Sequence, residues 1–257
     1  MGLNKNITKL SVVTIALKKN TELLRCIKSC NFKNIQVEHI IVLSEIKNNE
    51  LQILFPKKKI KIIQDNANGI YSALNVGLKH VTGEFILALH GDNFLKEKYL
   101  EIIENCLTSK QSFQFGCDAL INNKILIPFM HSKLNFTNII FGLYPPHPGL
   151  ILTFQDLRKI GFYNIGFEIC SDFDFYIRVY KSKIKLQHKR ESIIVSPSGG
   201  ASTSGLKSIL RIIKERIFIL SSHYFYLFII FPITILFGYI IKIINRYKSI
   251  KREFKKN

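Results

Sequence analysis

Residues 10–17, LSVVTIAL, form an apolar run bounded by polar residues, the pattern of a strand buried on both faces. Thr21–Ser29 follows with Leu23, Leu24 and Ile27 at helical spacing. EHIIVL at 38–43 predicts a second buried strand, and Lys59–Ile63 a third. From Ile70 the apolar residues Ile70, Ala73, Leu74 and Leu78 fall on one helical stripe that Val81 closes, with Gly83 as the expected helix stop. Phe85–Leu89 predicts another buried strand, and 97–107 an amphipathic helix. Residues 111–145 are aromatic-rich without a clear period, and no element is predicted there. Strands alternating with helices imply an α/β fold, a mostly parallel sheet flanked by helices. Ligands of such sheets bind beyond the C-terminal strand ends, where His90-Gly91-Asp92-Asn93 places a carboxylate.

The last 50 residues differ in kind. Ile217 to Ile241 holds no Asp, Glu, Lys or Arg, a length that spans roughly 30 Å as one helix. Lys207, Arg211, Lys214 and Arg216 precede it, and seven basic residues from Lys242 to Lys256 follow. Basic flanks on both sides suit anionic lipid headgroups, and Pro232 inside the run predicts a kink. The chain thus divides into an α/β domain at 1–205 and a membrane-associated helical tail at 206–257. A single span and a re-entrant or in-plane anchor both fit this pattern.

Net charge is +19, a field that attracts polyanions. The charge gathers beside the apolar segment and no nucleic-acid-binding module is present, so nucleic acid is not an expected partner. The polar start MGLNKNITKL predicts no secretory signal peptide. Five scattered cysteines suggest reduced thiols in a cytoplasmic setting. Cys26 and Cys30 lie four apart without a further ligand at metal spacing, so buried packing is expected.

The stretch Gly69, Ile70, Tyr71, Ala73, Asn75, Gly77, then Gly83-Glu84, then Asp92 resembles the family 2 glycosyltransferases, inverting enzymes of GT-A fold. A second block resembles them too: His147-Pro148, Lys159-Ile160-Gly161-Phe162, Ser171-Asp172 with Phe173, Asp174, Phe175 and Arg178, and the glycine loop Ser198–Ser202. The resemblance covers about residues 8 to 205 and implies a donor half at 1–95 and an acceptor half at 96–205.

It implies transfer of a sugar from a nucleotide-sugar donor, a UDP-sugar first, to a glycan or polyprenyl-diphosphate-linked acceptor in cell-surface polysaccharide synthesis, at the cytoplasmic face of the cell membrane. It implies Asp92 as ligand to a divalent cation, Mn²⁺ or Mg²⁺, because a hard cation takes one carboxylate when a diphosphate supplies further oxygens. It implies Asp172 as the base that deprotonates the acceptor hydroxyl. Asp174, two residues on, lies about 200° around the helix and points elsewhere, with Arg178 as its expected partner. Glu168 is a weaker candidate. Donor contacts are assigned to Thr14, Ala16, Asp65, Gly69, Asn75, Gly91 and Asp92, and acceptor-side contacts to His147, Gly199 and Gly200.

Three positions depart from the pattern. Leu43-Ser44-Glu45 stands where an Asp contacts the base, Asn93 replaces a second Asp, and His90 stands where Asn or Asp is common. These changes also admit a catalytically degenerate fold acting as a membrane scaffold.

Overall fold

The computed structural model describes residues 8–45, 50–66, 69–121, 125–128, 133–197 and 205–254. Strands β1 (Lys9–Ala16), β2 (Gln36–Leu43), β3 (Lys59–Gln64) and β4 (Phe85–His90) run parallel in the order β3-β2-β1-β4. Helices α1 (Thr21–Ser29), α2 (Glu50–Leu54) and α3 (Ile70–Leu78) connect them. The chain continues through β5 (Phe94–Leu95), α4 (Leu100–Leu107), β6 (Ser112–Ile121), β7 (Ile125–Pro128) and α5 (Phe136–Ile140). Then come β8 (Leu150–Thr153), α6 (Phe154–Ile160), α7 (Ser171–Lys181), β9 (Leu186–Pro197), α8 (Leu206–His223) and α9 (Phe231–Phe254).

The sheet continues β4-β8-β6-β9-β5, with β7 on β6. Among the described residues four of its eight pairings are antiparallel: β4–β8, β5–β9, β6–β7 and β6–β8. The sheet is therefore mixed rather than mostly parallel; only the donor half follows the alternating strand–helix rule. β6 escaped the sequence pattern because its polar residues do not mark solvent, and β9 because only Ile193, Ile194 and Val195 of its residues are buried. Gln114 and Asp118 in β6 are buried, with Gln114 bonded to the carbonyls of Phe115 and Pro146 and Asp118 paired with Lys96.

Both sheet faces are covered. On one, Leu10, Val12, Phe85, Leu87, Phe113 and Ile151 pack under Ile103 and Leu107 of α4, and Cys26 and Cys30 join this core. On the other, Val13, Ile15, Ile40, Val42, Ile86 and Leu152 meet α3, α6 and α7 through Leu74, Leu78, Leu157, Ile160, Phe175 and Tyr176. The strict alternation of Leu10/Val12 against Val13/Ile15 is the period of two expected when successive side chains point to opposite layers.

Helix α3 starts at Gly69, whose φ of +105° suits glycine, but ends at Leu78. Gly83 does not stop it. Gly83 instead packs against β1, where a Cβ would come within 2.8 Å of the Lys9 carbonyl and 2.7 Å of the Ser11 hydroxyl.

The apolar segment 217–241 is not one helix. α8 ends at His223 with Tyr224 as its cap (φ −143°, ψ 55°), a 3₁₀ stretch covers Phe225–Ile230, and α9 follows. Ser221 and Ser222 donate back to the carbonyls of Ile217 and Ile219 in the last turn of α8, a competition that favours helix ends. Pro232 falls in the first turn of α9, where a missing N–H costs little, rather than inside a helix. Among the described residues no helix is long and apolar enough to cross a membrane. One side of these helices enters the protein: Ile212, Ile219, Leu220, Phe231 and Ile235 share a core with Ile139, Ile140, Phe173 and Ile177. Residues 206–254 are thereby packed onto α5 and α7. Gly238 marks the closest approach, because a Cβ there would meet the Phe141 carbonyl oxygen at 1.8 Å.

Candidate active site

Parallel register brings the C-terminal residues of four strands to one edge: Ala16 beside Leu43, Leu43 beside Gln64, and Ile15 beside His90. Asp65, Glu45 and Asp92 follow directly on that edge. Gly91 lets the β4 end close on β1: its N–H donates to the Ile15 carbonyl at 2.8 Å, and a Cβ would lie 2.8 Å from Ala16 Cβ. Asp92 is thereby held at the edge with its side chain exposed.

Asn93 turns the other way. It is 2% exposed, and its amide donates to Asp92 Oδ1 and Ser196 Oγ, both at 3.0 Å, while its Oδ1 accepts from the His90 N–H at 3.3 Å. It brackets the Asp92 turn to β9, its buried amide committed there rather than to the cleft. Burial pushes the His90 imidazole below its ordinary value, opposed by Asp92. Among the described residues no group of three or more His, Cys, Asp or Glu gathers at metal spacing. Asp92 is thus a single protein carboxylate, a donor set that suits a hard cation only when substrate oxygens complete it.

Among the other donor-side candidates the structure separates two groups. Asp65 is buried, its N–H bonds the Leu43 carbonyl at 2.9 Å, and its Oδ2 has no hydrogen-bond partner among the described residues. A buried acceptor left open at a strand end suits a ligand donor. Gly69 is exposed and Ala16 half-buried at the same edge. Thr14 is fully buried and bonded to His39 Nε2 at 2.7 Å, so it faces the core rather than the cleft. Asn75 is engaged as well. Its Nδ2 donates to the Tyr163 carbonyl at 2.8 Å and its Oδ1 accepts the Tyr163 N–H at 2.9 Å. Its amide clasps the loop before α7 and is not a donor contact. Tyr71 does the same four residues earlier, donating to the Ile169 carbonyl at 2.7 Å. The polar side of α3 therefore fastens the loop before α7 to the parallel half of the sheet.

That loop delivers Asp172, the second residue of α7. Its Oδ1 accepts the Phe173 N–H at 2.7 Å, and the Tyr144 hydroxyl lies 3.3 Å from both carboxylate oxygens. Burial pushes the carboxyl up, while Arg216, the Phe173 N–H, Lys242 and Tyr144 pull it down. A partly exposed carboxylate with a raised pKa is what proton acceptance near neutrality needs. Asp174 faces away, paired with Arg178 Nε and His223 Nε2, each at 2.9 Å. Glu168 is exposed and paired with Arg211. Ser171, at the first position of the acidic dipeptide, is buried with its hydroxyl unpartnered among the described residues.

His147 is buried, bonded through Nε2 to the Tyr163 hydroxyl and edge-on to its ring. Burial, with His90 nearby, lowers it to about 3, so it is a neutral packing residue beneath the acceptor side. Gly199 and Gly200 lie outside the described residues. Sequence reasoning missed Tyr144, Glu215, Arg216 and Lys242 around Asp172. One signal was available: Glu215 is the sole acid between Ser192 and Arg252 in a basic stretch.

Residues 11–112 match the model of glycosyl transferase family 2. An uncharacterized glycosyltransferase of Haemophilus influenzae is 22% identical over 221 residues, covering 81% of this chain and 88% of that protein. The fold matches S. aureus TarS 1–349 with a TM-score of 0.63 at 15% identity, over 83% of this chain and 66% of that one. TarS 1–349 in complex with UDP-GlcNAc matches with 0.64 at 16% identity, over 83% and 67%. Motif, family match and fold agree on a glycosyltransferase, the family 2 match spanning residues 11–112.

Proposed function

We propose that the chain is an inverting transferase that moves a sugar from a UDP-sugar to a glycan or polyprenyl-diphosphate-linked acceptor during cell-surface polysaccharide synthesis. The observation that carries this reading is the pair of carboxylates flanking the α3 clasps: Asp92 exposed at the strand edge, Asp172 at the start of α7. The TarS structures with UDP and UDP-GlcNAc support a uridine nucleotide donor on this fold. In the reaction Asp172 accepts the acceptor hydroxyl's proton. The freed oxygen forms its bond to the anomeric carbon as the bond to the diphosphate breaks, and the nucleoside diphosphate leaves. Asp92 would hold a divalent cation, which neutralises the charge building on that diphosphate. Asp65 supplies an acceptor for the donor's base or ribose.

The C-terminal helices support attachment to the cytoplasmic face of the membrane. Their outer side exposes Phe218, Phe225, Tyr226, Ile229, Ile233 and Leu236, with Ile229 87% and Phe225 81% accessible. Apolar exposure on this scale beside basic residues suits an in-plane anchor on anionic lipid.

The test is turnover of a panel of nucleotide sugars by the purified chain, with and without Mn²⁺. Metal-dependent consumption of one donor, lost by at least about a hundredfold in Asp172→Asn and Asp92→Ala, is expected. Equal turnover in both variants would remove the two carboxylates from the chemistry. Absence of donor binding across the panel would favour the scaffold reading.

A further inference from the structure

Two consecutive residues of α8 act on the segment that carries Asp172. The Glu215 carboxylate accepts three successive backbone N–H groups, from Glu168 at 3.0 Å, Ile169 at 3.1 Å and Cys170 at 2.8 Å. These residues lead directly into α7. The Arg216 guanidinium, almost fully buried, lies 5.5 Å from the rings of Tyr144 and Phe173 and 5.6 Å from that of Tyr239. Its Nη2 donates to the Tyr144 hydroxyl at 3.5 Å, and that hydroxyl reaches both oxygens of Asp172. From α9, Lys242 Nζ stands 5.2 Å from the centre of the Tyr144 ring.

We infer that Glu215, Arg216 and Lys242 are positioning residues of the transfer site: Glu215 fixes the backbone entering α7, and the two cations hold the Asp172 carboxylate charged through Tyr144. The inference rests on the reading of Asp172 as the base. The C-terminal helices are then part of the catalytic apparatus as well as an anchor.

The physical argument is one of offsets. A carboxylate taken out of water loses solvation and favours its neutral form, and a cation at close range restores the charged one. The groups facing Asp172 come from every neighbouring element. The hydroxyls are those of Tyr71, Tyr144, Tyr163 and Tyr176, and the thiol is that of Cys170. Burial pushes each of them up, so all are neutral near pH 7. Two cations act on the carboxylate, Arg216 and Lys242, and Arg216 is the stronger. Burial and Arg216 push Lys242 down to about 7, so its share fades as pH rises past neutrality.

The test is a carboxyl ¹³C titration of the full-length chain, selectively labelled at aspartate, with Asp172 assigned from Asp172→Asn. Arg216→Met is expected to raise the Asp172 midpoint by about one pH unit or more, and Lys242→Met by less. Arg216→Lys, which keeps the charge, restores the wild-type midpoint to within a few tenths. Tyr144→Phe cuts the relay while leaving both cations, and raises the midpoint without removing charge. Arg211→Met, one turn earlier on the exposed side of α8, leaves it unchanged. A midpoint that stays put in Arg216→Met and Lys242→Met would overturn the inference; if Arg216→Met does not fold, the half-exposed Lys242→Met and Tyr144→Phe decide alone. The reading of Asp172 as base is judged separately. If the midpoint moves as expected but a donor is turned over equally by Asp172→Asn, the charge control stands and the base assignment falls. If both hold, the acidic limb of kcat/KM moves with the titration midpoint.

Discussion

Asn75 and Tyr163 exchange two hydrogen bonds, 2.8 and 2.9 Å long, between a donor-half helix and the loop that leads to the acceptor-half carboxylate. A side-chain amide is well suited to this task, because it offers a donor and an acceptor on one rigid plane and so imitates a strand neighbour for a loop that has none. With Tyr71 bonded to Ile169, the motif helix sets where Asp172 stands relative to the strand edge.

Asn75→Ala removes both bonds and leaves the Tyr163 N–H and carbonyl unpaired. The expected cost is about 1–3 kcal/mol in stability. Turnover of the donor is expected to fall about tenfold to a hundredfold, since small displacements of a reacting group are costly. Thermal unfolding and steady-state kinetics read the two effects. A variant with wild-type melting temperature and wild-type kcat would show that the loop holds its place without the clasp.

Asn93→Asp restores a second acid to the turn, yet it is expected to weaken the protein. At 2% exposure the new carboxylate cannot donate to Asp92 or Ser196, and it sets a like charge against Asp92. The loss is expected at about 1–3 kcal/mol in denaturant unfolding, with unchanged affinity for Mn²⁺ by calorimetry. Tighter Mn²⁺ binding with no loss of stability would mean that position 93 faces the cleft.

Acid lability is expected to come from two histidines. Burial, with Lys58, lowers His39 to about 3, and burial, with His90, does the same to His147. Both take up protons near 6.5 when unfolded, whereas the native state refuses them until about pH 3. The unfolded chain therefore binds more protons across this window, and stability falls as pH drops from 6.5 toward 3. Stability measured by urea unfolding at several pH values should show this slope, and His147→Gln should flatten it. An imidazole of His147 that titrates near 6.5 by NMR would contradict the assignment.

Legibility from sequence followed the range of the forces involved. The donor-half strands, α1 and the start of α3 were readable because unbroken apolar runs and helical spacing record burial locally, and the place of Asp172 at a helix N-terminus was readable from the motif. The Asp174–Arg178 pair was readable for the same reason, being four residues apart on one helix. The antiparallel half was not, since β6 buries polar residues such as Asp118, paired with Lys96, and β9 is largely polar outside Ile193–Val195, so that alternation ceases to report inside and outside.

The roles of Asn75, Thr14 and Asn93 show the same boundary inside the motif itself. The resemblance placed Thr14 and Asn75 among the donor contacts and Asn93 in the acidic turn, but only the folded chain decides whether an amide or hydroxyl points to a ligand or is consumed by Tyr163, His39 or Ser196. The surroundings of Asp172 lie wholly on that side of the boundary. Local pattern supplied the carboxylate and its helix. Glu215, Arg216 and Lys242 reach it from helices that read as a tail, because hydrophobic burial of Ile212, Ile219 and Phe231 against α5 and α7 decides where that tail goes, and burial is non-directional until the surfaces that meet exist.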